Sequence, residues 1–250
     1  MTCRLMNVLV IAVFCLSPLR ATAAELPRLD LDHPSRTAEE KARDLNRKPL
    51  ETLAFFGIRE DMRVIELFPG GGWYTKLLGP YLEEQGQLHI ALGAGRLAGQ
   101  LQEFGLGKVN PTGKIKGFVK SDSPGYIYAV EDIDLVERNV DMVLTFRNAH
   151  NLNSEARMVL NRAVFEALKP GGIYGVIDHT KRHMEKFNAT TWRRIDPVLV
   201  IKEAVAAGFE FVDYTTIHAR PEDNLQHDSR HESLPNESDR FTLKFRKPVQ

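Results

Sequence analysis

Arg63-Val64-Ile65-Glu66-Leu67-Phe68-Pro69-Gly70-Gly71-Gly72-Trp73-Tyr74 begins as a buried strand and ends by opening a helix. In open α/β sheets ligands sit beyond the carboxyl ends of the strands, at the switch in strand order, normally beside the first strand. Gly70, Gly71 and Gly72 remove side chains where a ligand has to come close, and the helix N-terminus offers unpaired N–H groups. Glu66 can accept hydrogen bonds from a cationic amine, directly or through water. A plainer reading gives the glycines only a tight strand-to-helix turn; the strand-loop-helix context favours the ligand reading.

Outward from this segment the chain alternates strand and helix. Strands are expected over Arg63–Leu67, Gln87–Leu92, Ile115–Lys120, Asp141–Phe146, Gly172–Asp178, Glu210–Ile217 and Phe241–Arg246, and helices over Tyr74–Leu82, Arg96–Phe104, Ser154–Leu168 and Pro197–Ala207. Repeated strand-helix-strand implies a mainly parallel sheet covered on both faces. Only a polar loop, Arg220 to Asp239, separates the last two strands, so they should pair antiparallel; its segment Gln226–Ser238 reads as mobile. Upstream, Thr37-Ala38-Glu39-Glu40 is a capping-box start for a helix to about Lys48, and Pro49 restarts one to Phe56, ended by Gly57. Residues 25–57 thus form a helical cover on one domain, 58–250.

Met1 to Ala24 reads as a secretory signal peptide, with Arg4, an apolar run Val8–Leu16 and small residues Ala21–Ala24, so we expect an exported protein, periplasmic or secreted. The run is too short for a membrane span, and nothing later is apolar for that long. Both cysteines, Cys3 and Cys15, leave with the leader, so stability must come from a core and not from disulfides. Of 33 basic residues the leader removes Arg4 and Arg20, leaving 31 against 33 acidic ones. Such balance gives no reason to expect nucleic acid or an anionic membrane as partner.

The glycine loop resembles motif I of class I S-adenosylmethionine-dependent methyltransferases. Glu66 matches its acid, Gly70 and Gly72 match its second and third glycines, and Phe68 stands where the first is expected. The wording Pro69-Gly-Gly-Gly-Trp-Tyr74 is similar to a family of exported bacterial predicted methyltransferases. Asp141-Met-Val-Leu-Thr-Phe-Arg-Asn148, Leu168-Lys-Pro-Gly-Gly-Ile173 and Asp239-Arg-Phe-Thr-Leu-Lys-Phe245 extend the likeness from about Pro34 to the C-terminus. The resemblance implies a Rossmann-like methyltransferase domain, its seven strands ordered 3-2-1-4-5-7-6 with the last antiparallel. It implies S-adenosylmethionine as cofactor, bound by Glu66, Phe68, Pro69, Gly70, Gly71, Gly72, Trp73, Asp122 and Asn148. One departure stands out: the acid usual at the end of the second strand, for the ribose hydroxyls, is replaced by Ile90-Ala-Leu-Gly93. Losing that acceptor costs on the order of 1.5–3 kcal/mol, so binding of the donor is expected to be weakened or lost.

Several residues could carry chemistry. Arg147, Asn148, His150 and Asn151 follow the fourth strand at the ligand edge, and Asp178 and His179 end the fifth. His150 is a candidate general base, with Asp178 and His179 completing an acid-base group; capping the next helix is an equal reading of His150. Arg43 and Arg47 could close over a small-molecule substrate, as could Tyr74. For Trp73 and Tyr74, core packing competes with a ligand role; Trp192, Phe187, Ile195, Leu199, Val200 and Val205 read as core. Asp122 suits either the adenine amine or a turn before Ser123-Pro-Gly125. His179, His183, His218, His227 and His231 do not suggest a metal, which needs three or four converging ligands.

Two functions follow: a methyltransferase acting on a small molecule or an envelope component, or a non-catalytic binding protein that keeps the fold with a degenerate donor site. A nicotinamide oxidoreductase fits less well, because the glycine spacing differs and the second-strand acid is missing.

Overall fold

The computed structural model describes residues 26–234 and 237–249, so the leader expected over residues 1–24 lies outside the described residues. Thr37 and Glu40 close the expected capping box, each side chain accepting from the other's backbone N–H. The helix it starts is split in two at Arg43, giving α1 (Ala38–Ala42) and α2 (Asp44–Arg47). Lys48 turns left-handed at φ 40°, Pro49 opens α3 (Pro49–Phe56), and Gly57 ends it at φ 80°.

From there the chain runs β1 (Arg63–Leu67), α4 (Thr75–Leu82), β2 (Gln87–Ala91), α5 (Gly95–Ala98), β3 (Asn110–Thr112), β4 (Lys114–Lys116), β5 (Val119–Lys120), β6 (Tyr128–Ala129), β7 (Asp132–Asp134), β8 (Val140–Phe146), α6 (Ser154–Ala167), β9 (Leu168–His179), α7 (Pro197–Ala206), β10 (Glu210–Thr215) and β11 (Arg240–Arg246). The main sheet has seven strands in the order β10-β11-β9-β8-β1-β2-β3. Only β11 runs antiparallel to its neighbours, β9 and β10. Counting the main-sheet strands along the chain, this is the expected order 3-2-1-4-5-7-6. Successive residues of β1 serve opposite faces: Val64 joins an apolar cluster with α3 and α4, while Ile65 and Leu67 join one with α6 and α7.

Three expectations need correction. The third sheet strand is Asn110–Thr112, beside His89–Ala91, and not Ile115–Lys120. Gly113, at φ 82°, turns the chain away, and the residues after it pair instead in two small ribbons, β4 with β7 and β5 with β6. Pro111 suits this sheet edge because it has no N–H to offer a further strand. The helix expected over Arg96–Phe104 stops after one turn at Ala98, followed by Gly99. In α7 the buried stripe is Val200 with Ala204, beside Ile195 before the helix, whereas Leu199 and Val205 are exposed. Beside the segment Gln226–Ser238, Asp223 pairs with buried Arg194 at 2.7 Å and accepts the Asp239 N–H, and within it Asp228 pairs with Arg193 at 2.8 Å.

The N-terminal cover is clamped from the far end of the chain. His218, buried between α3 and β11, lies 3.0 Å from the Arg47 carbonyl through Nε2 and 2.7 Å from Thr242 Oγ1 through Nδ1. A carbonyl only accepts, so Nε2 carries the proton and Nδ1 accepts from Thr242. Burial, with Arg240 and Arg220 nearby, lowers the His218 pKa to about 3, consistent with that neutral ring. Trp73 donates its indole N–H to the Glu40 carbonyl at 2.9 Å, and Lys76 pairs with the Glu40 carboxylate at 3.0 Å.

Candidate functional site

A cavity of about 940 Å³ opens over the carboxyl ends of β1, β8 and β9. Its floor is Glu66, Phe68–Gly71, Phe146–Asn148, His150 and His179. Its walls come from four separate segments: Arg43 and Arg47 of the cover, Phe118 and Tyr128 at the small ribbons, Trp192 with Arg193, and residues 229–232 and 234 with Ser238 and Arg240.

The three motif glycines do different things. Gly70 and Gly71 border the cavity, and a Cβ on either would meet nothing within 4 Å. Gly72 does not border it. At φ 81° it faces inward, where a Cβ would lie 2.8 Å from Leu97, so its role is structural. Phe68 and Arg147, the first residues after β1 and β8, are also left-handed, at φ 50° and 62°. That conformation costs a non-glycine residue about 1–2 kcal/mol and turns each loop sharply at the ligand edge.

Glu66 shares the β1 face of Val64 and is buried against α4, where Thr75 donates to its carboxyl at 2.6 Å. Burial pushes its pKa to about 8, so it is protonated at neutral pH. The aromatics pack in the core and also reach the cavity. Trp73 and Tyr74 are buried and border the cavity, Tyr74 stacking on Phe146 at 3.6 Å and Arg47 lying 4.3 Å over the Trp73 ring. Asn148 donates its amide to the Phe146 and Phe68 carbonyls, tying the β8 loop to the glycine loop.

His150 and Asp178 are hydrogen-bonded to each other at the cavity floor. His150 Nδ1 lies 2.6 Å from Asp178 Oδ1, and the carboxylate also accepts the backbone N–H groups of His150 and His179. Asp178 is fully buried behind the cavity; it holds the His150 proton on Nδ1 and leaves Nε2, the other edge of the ring, as the basic nitrogen. His179 borders the cavity with its Nδ1 2.9 Å from Ser238 Oγ. Burial, with His150, Arg147 and Arg240 nearby, holds its pKa well below the usual histidine range, so it stays neutral. Among the described residues no three His, Cys, Asp or Glu side chains converge as metal ligands.

Arg43, Arg47, Tyr74, Arg147 and Asn151 all border the cavity. Asp122 does not: it is exposed and outside it, as its turn reading had it. Trp192, expected in the core, is a half-buried cavity wall 6.0 Å from the His150 ring, and Phe187 is exposed. Gly125, at φ 86°, leaves room for the Trp192 ring, which would lie 2.5 Å from a Cβ there. Sequence reasoning missed Arg193, Arg230, Ser238 and Arg240. A signal for Arg240 existed: a final antiparallel strand must begin at the edge where β9 ends, and Arg240 pairs with His179.

Beyond the end of β2 the picture differs. Leu92 is buried at φ 61°, and Phe68 packs against the cluster that holds Ala91 and Leu92. No residue of β2 or β3 borders the cavity. The end of β2 therefore brings no acidic side chain to the cavity, whereas Gly70, Gly71 and Asn148 border open space.

No protein-family model matches the chain, and no curated protein sequence does. Solved structures do match. An S-adenosylmethionine-dependent methyltransferase from Aquifex aeolicus superposes with a TM-score of 0.56 at 15% identity, covering 82% of this chain and 93% of the other. The [4+2]-cyclase SpnF gives 0.56 at 16%, covering 82% and 81%. A Burkholderia thailandensis 1,6-didemethyltoxoflavin-N1-methyltransferase, solved with 1,6-didemethyltoxoflavin and S-adenosylhomocysteine bound, gives 0.51 at 16%, covering 87% and 80%. At these identities the likeness shows the fold: the chain has the α/β fold of S-adenosylmethionine-dependent methyltransferases. A cyclase shares that fold, so the chemistry has to be argued from the site.

Proposed function

We propose that this protein is an S-adenosylmethionine-dependent methyltransferase acting on a small molecule or an envelope component. The observation that carries the reading is the His150–Asp178 pair, held at 2.6 Å on the floor of the cavity beside the open Gly70–Gly71 loop. Glu66, Gly70, Gly71 and Asn148 are the residues that would hold the donor's amino-acid end. When bound, the donor supplies an electrophilic methyl group. His150 Nε2 takes the proton from the substrate heteroatom, and Asp178 steadies the imidazolium that forms. Positioning by the cavity walls does the rest, so no nucleophilic side chain is needed.

Calorimetry with S-adenosylhomocysteine tests donor binding: no heat and no thermal shift at millimolar ligand would overturn the reading. Should the donor bind, His150→Gln is expected to lower methyl transfer about 10²–10⁴-fold while leaving donor affinity unchanged.

A second reading, a binding protein that keeps the fold without the donor, is favoured by Phe68 packed at the end of β2 and by buried Leu92. It expects ligand binding in the cavity with no S-adenosylhomocysteine heat. We also propose export, from the leader pattern of residues 1–24; mature protein recovered outside the cytoplasm should begin at Glu25.

A further inference from the structure

The chain has no net charge, yet its arginines crowd the cavity: Arg43, Arg47, Arg147, Arg193, Arg230 and Arg240 all border it. Arg193 is matched by Asp228 at 2.8 Å. The guanidinium groups of Arg43, Arg47, Arg147 and Arg230 form no ion pair or hydrogen bond with a described residue. Arg47 is 6% exposed, and its guanidinium lies 4.3 Å from the Trp73 ring and 5.9 Å from the Tyr74 ring. The carboxyl groups at hand do not answer this charge. Glu40 is engaged by Lys76, burial keeps Glu66 protonated, and Asp178 is committed to His150 and two backbone N–H groups, which leaves Glu232. Burial pulls the Arg147 pKa below its usual range, and Arg43 and Arg230 add to this. Of these four, Arg47 is buried, Arg43 and Arg147 are half-buried and Arg230 is exposed at the rim; a cavity that gathers guanidinium groups without matching carboxylates is complementary to an anion.

The same cavity is walled with rings. Tyr74 stacks on Phe146 on one side, Phe118 stacks on Tyr128 at 4.3 Å on another, and Tyr126 lies 5.7 Å from Trp192 across the mouth. Exposed aromatics at the rim of a cationic cavity suit a flat apolar body that carries the charge.

We propose that the cavity takes an acidic aromatic small molecule, a planar ring system bearing a phosphate, sulfate or carboxylate group. Arg47, Arg147 and Arg43 hold the acid, and the two ring stacks hold the body. This rests on the cavity being the substrate site proposed above, but not on binding of the methyl donor.

The test is calorimetry on the full folded chain at low salt with three probes: phenyl phosphate, inorganic phosphate and benzyl alcohol, each with and without S-adenosylhomocysteine. Phenyl phosphate is expected to bind and to weaken as salt rises, inorganic phosphate to bind at least about tenfold more weakly, and benzyl alcohol to give no heat. Arg147→Gln and Arg43→Gln should each weaken phenyl phosphate about 10- to 100-fold, the worth of a charge-assisted hydrogen bond. The Arg43 side chain holds no described partner, so its loss does not threaten folding, and thermal midpoints of the unliganded variants check this. Arg59→Gln, on the surface, should change nothing.

Absence of phenyl phosphate heat at millimolar concentration would overturn the proposal, as would equal binding in the Arg43 and Arg147 variants or equal affinity for inorganic phosphate. One-for-one displacement by S-adenosylhomocysteine, weakened by the same substitutions, would assign the arginines to the donor's carboxylate and overturn it too. Phenyl phosphate binding without S-adenosylhomocysteine binding defeats methyl transfer and leaves this proposal standing; the reverse result defeats this proposal alone.

Discussion

The ring of Phe68 lies over Gly93, its Cδ1 3.5 Å from the point a Cβ there would occupy. Phe68 is left-handed at φ 50°, a conformation glycine adopts without the steric cost of a side chain. Phe68→Gly should relieve about 1 kcal/mol of backbone strain while giving up a similar amount of apolar burial, so stability changes little. Removing the ring clears the approach to the end of β2. Affinity for S-adenosylhomocysteine is expected to rise about tenfold, the equivalent of about 1.4 kcal/mol; unchanged affinity would show that the ring does not obstruct the nucleoside.

Adjacent glycines should respond in opposite ways. Gly72→Ala forces a left-handed Cβ to within 2.8 Å of Leu97 and is expected to cost about 2–4 kcal/mol, measured by urea denaturation. Gly71→Ala meets nothing within 4 Å and should leave stability within about 0.5 kcal/mol of the parent. Its methyl enters the cavity, so its effect should fall on ligand binding. Equal destabilisation by both would contradict this division.

Glu66 sets a pH dependence. The folded chain keeps its proton up to about pH 8, while an unfolded glutamate loses it near 4.5. Between those values the fold binds the extra proton, so Glu66 makes stability fall as pH rises. His218 and His179 act the other way, since burial holds both below the ordinary 6.5 and their contribution is lost as pH drops below it. From pH 6.5 to 8 the unfolded histidines lose their remaining protons, which offsets part of the Glu66 effect, so the comparison with a Glu66 variant isolates it. Over that interval the parent should lose about 1.5 kcal/mol more unfolding free energy than Glu66→Gln. Parallel curves would mean Glu66 is ionised in the fold.

Loss of the clamp should open the cover. His218→Ala strips the Arg47 carbonyl and Thr242 of a buried partner and is expected to cost about 2 kcal/mol. Hydrogen exchange should quicken over residues 44–56, and cavity ligands should bind more weakly because Arg47 is no longer fixed. Destabilisation without faster exchange in that segment would place the effect elsewhere.

Much of this was legible. The buried strand Arg63–Leu67, the Pro49 and Gly57 punctuation and the capping box at Thr37 are local signals, and each appears as read. Lys114–Lys120 shows the limit: alternation marks a strand but does not say which sheet takes it, and Gly113 decided that. At the site, residues following parallel strands announced themselves, as His150, Asp178 and His179 did. Arg230 and Trp192 did not, because loop residues reach the cavity through anchors such as Arg194–Asp223 that join distant parts of the chain.

The clamp on the cover joins Arg47 to His218 across 171 positions, and Thr52 to His218 across 166. Contacts of such separation close late, because the intervening loop has to be gathered first. The cavity therefore has no complete wall until nearly the whole chain has been made and folded. Were the export proposed above to take the chain across a membrane unfolded, it would carry no passenger with it, and whatever this site binds would be met on the far side.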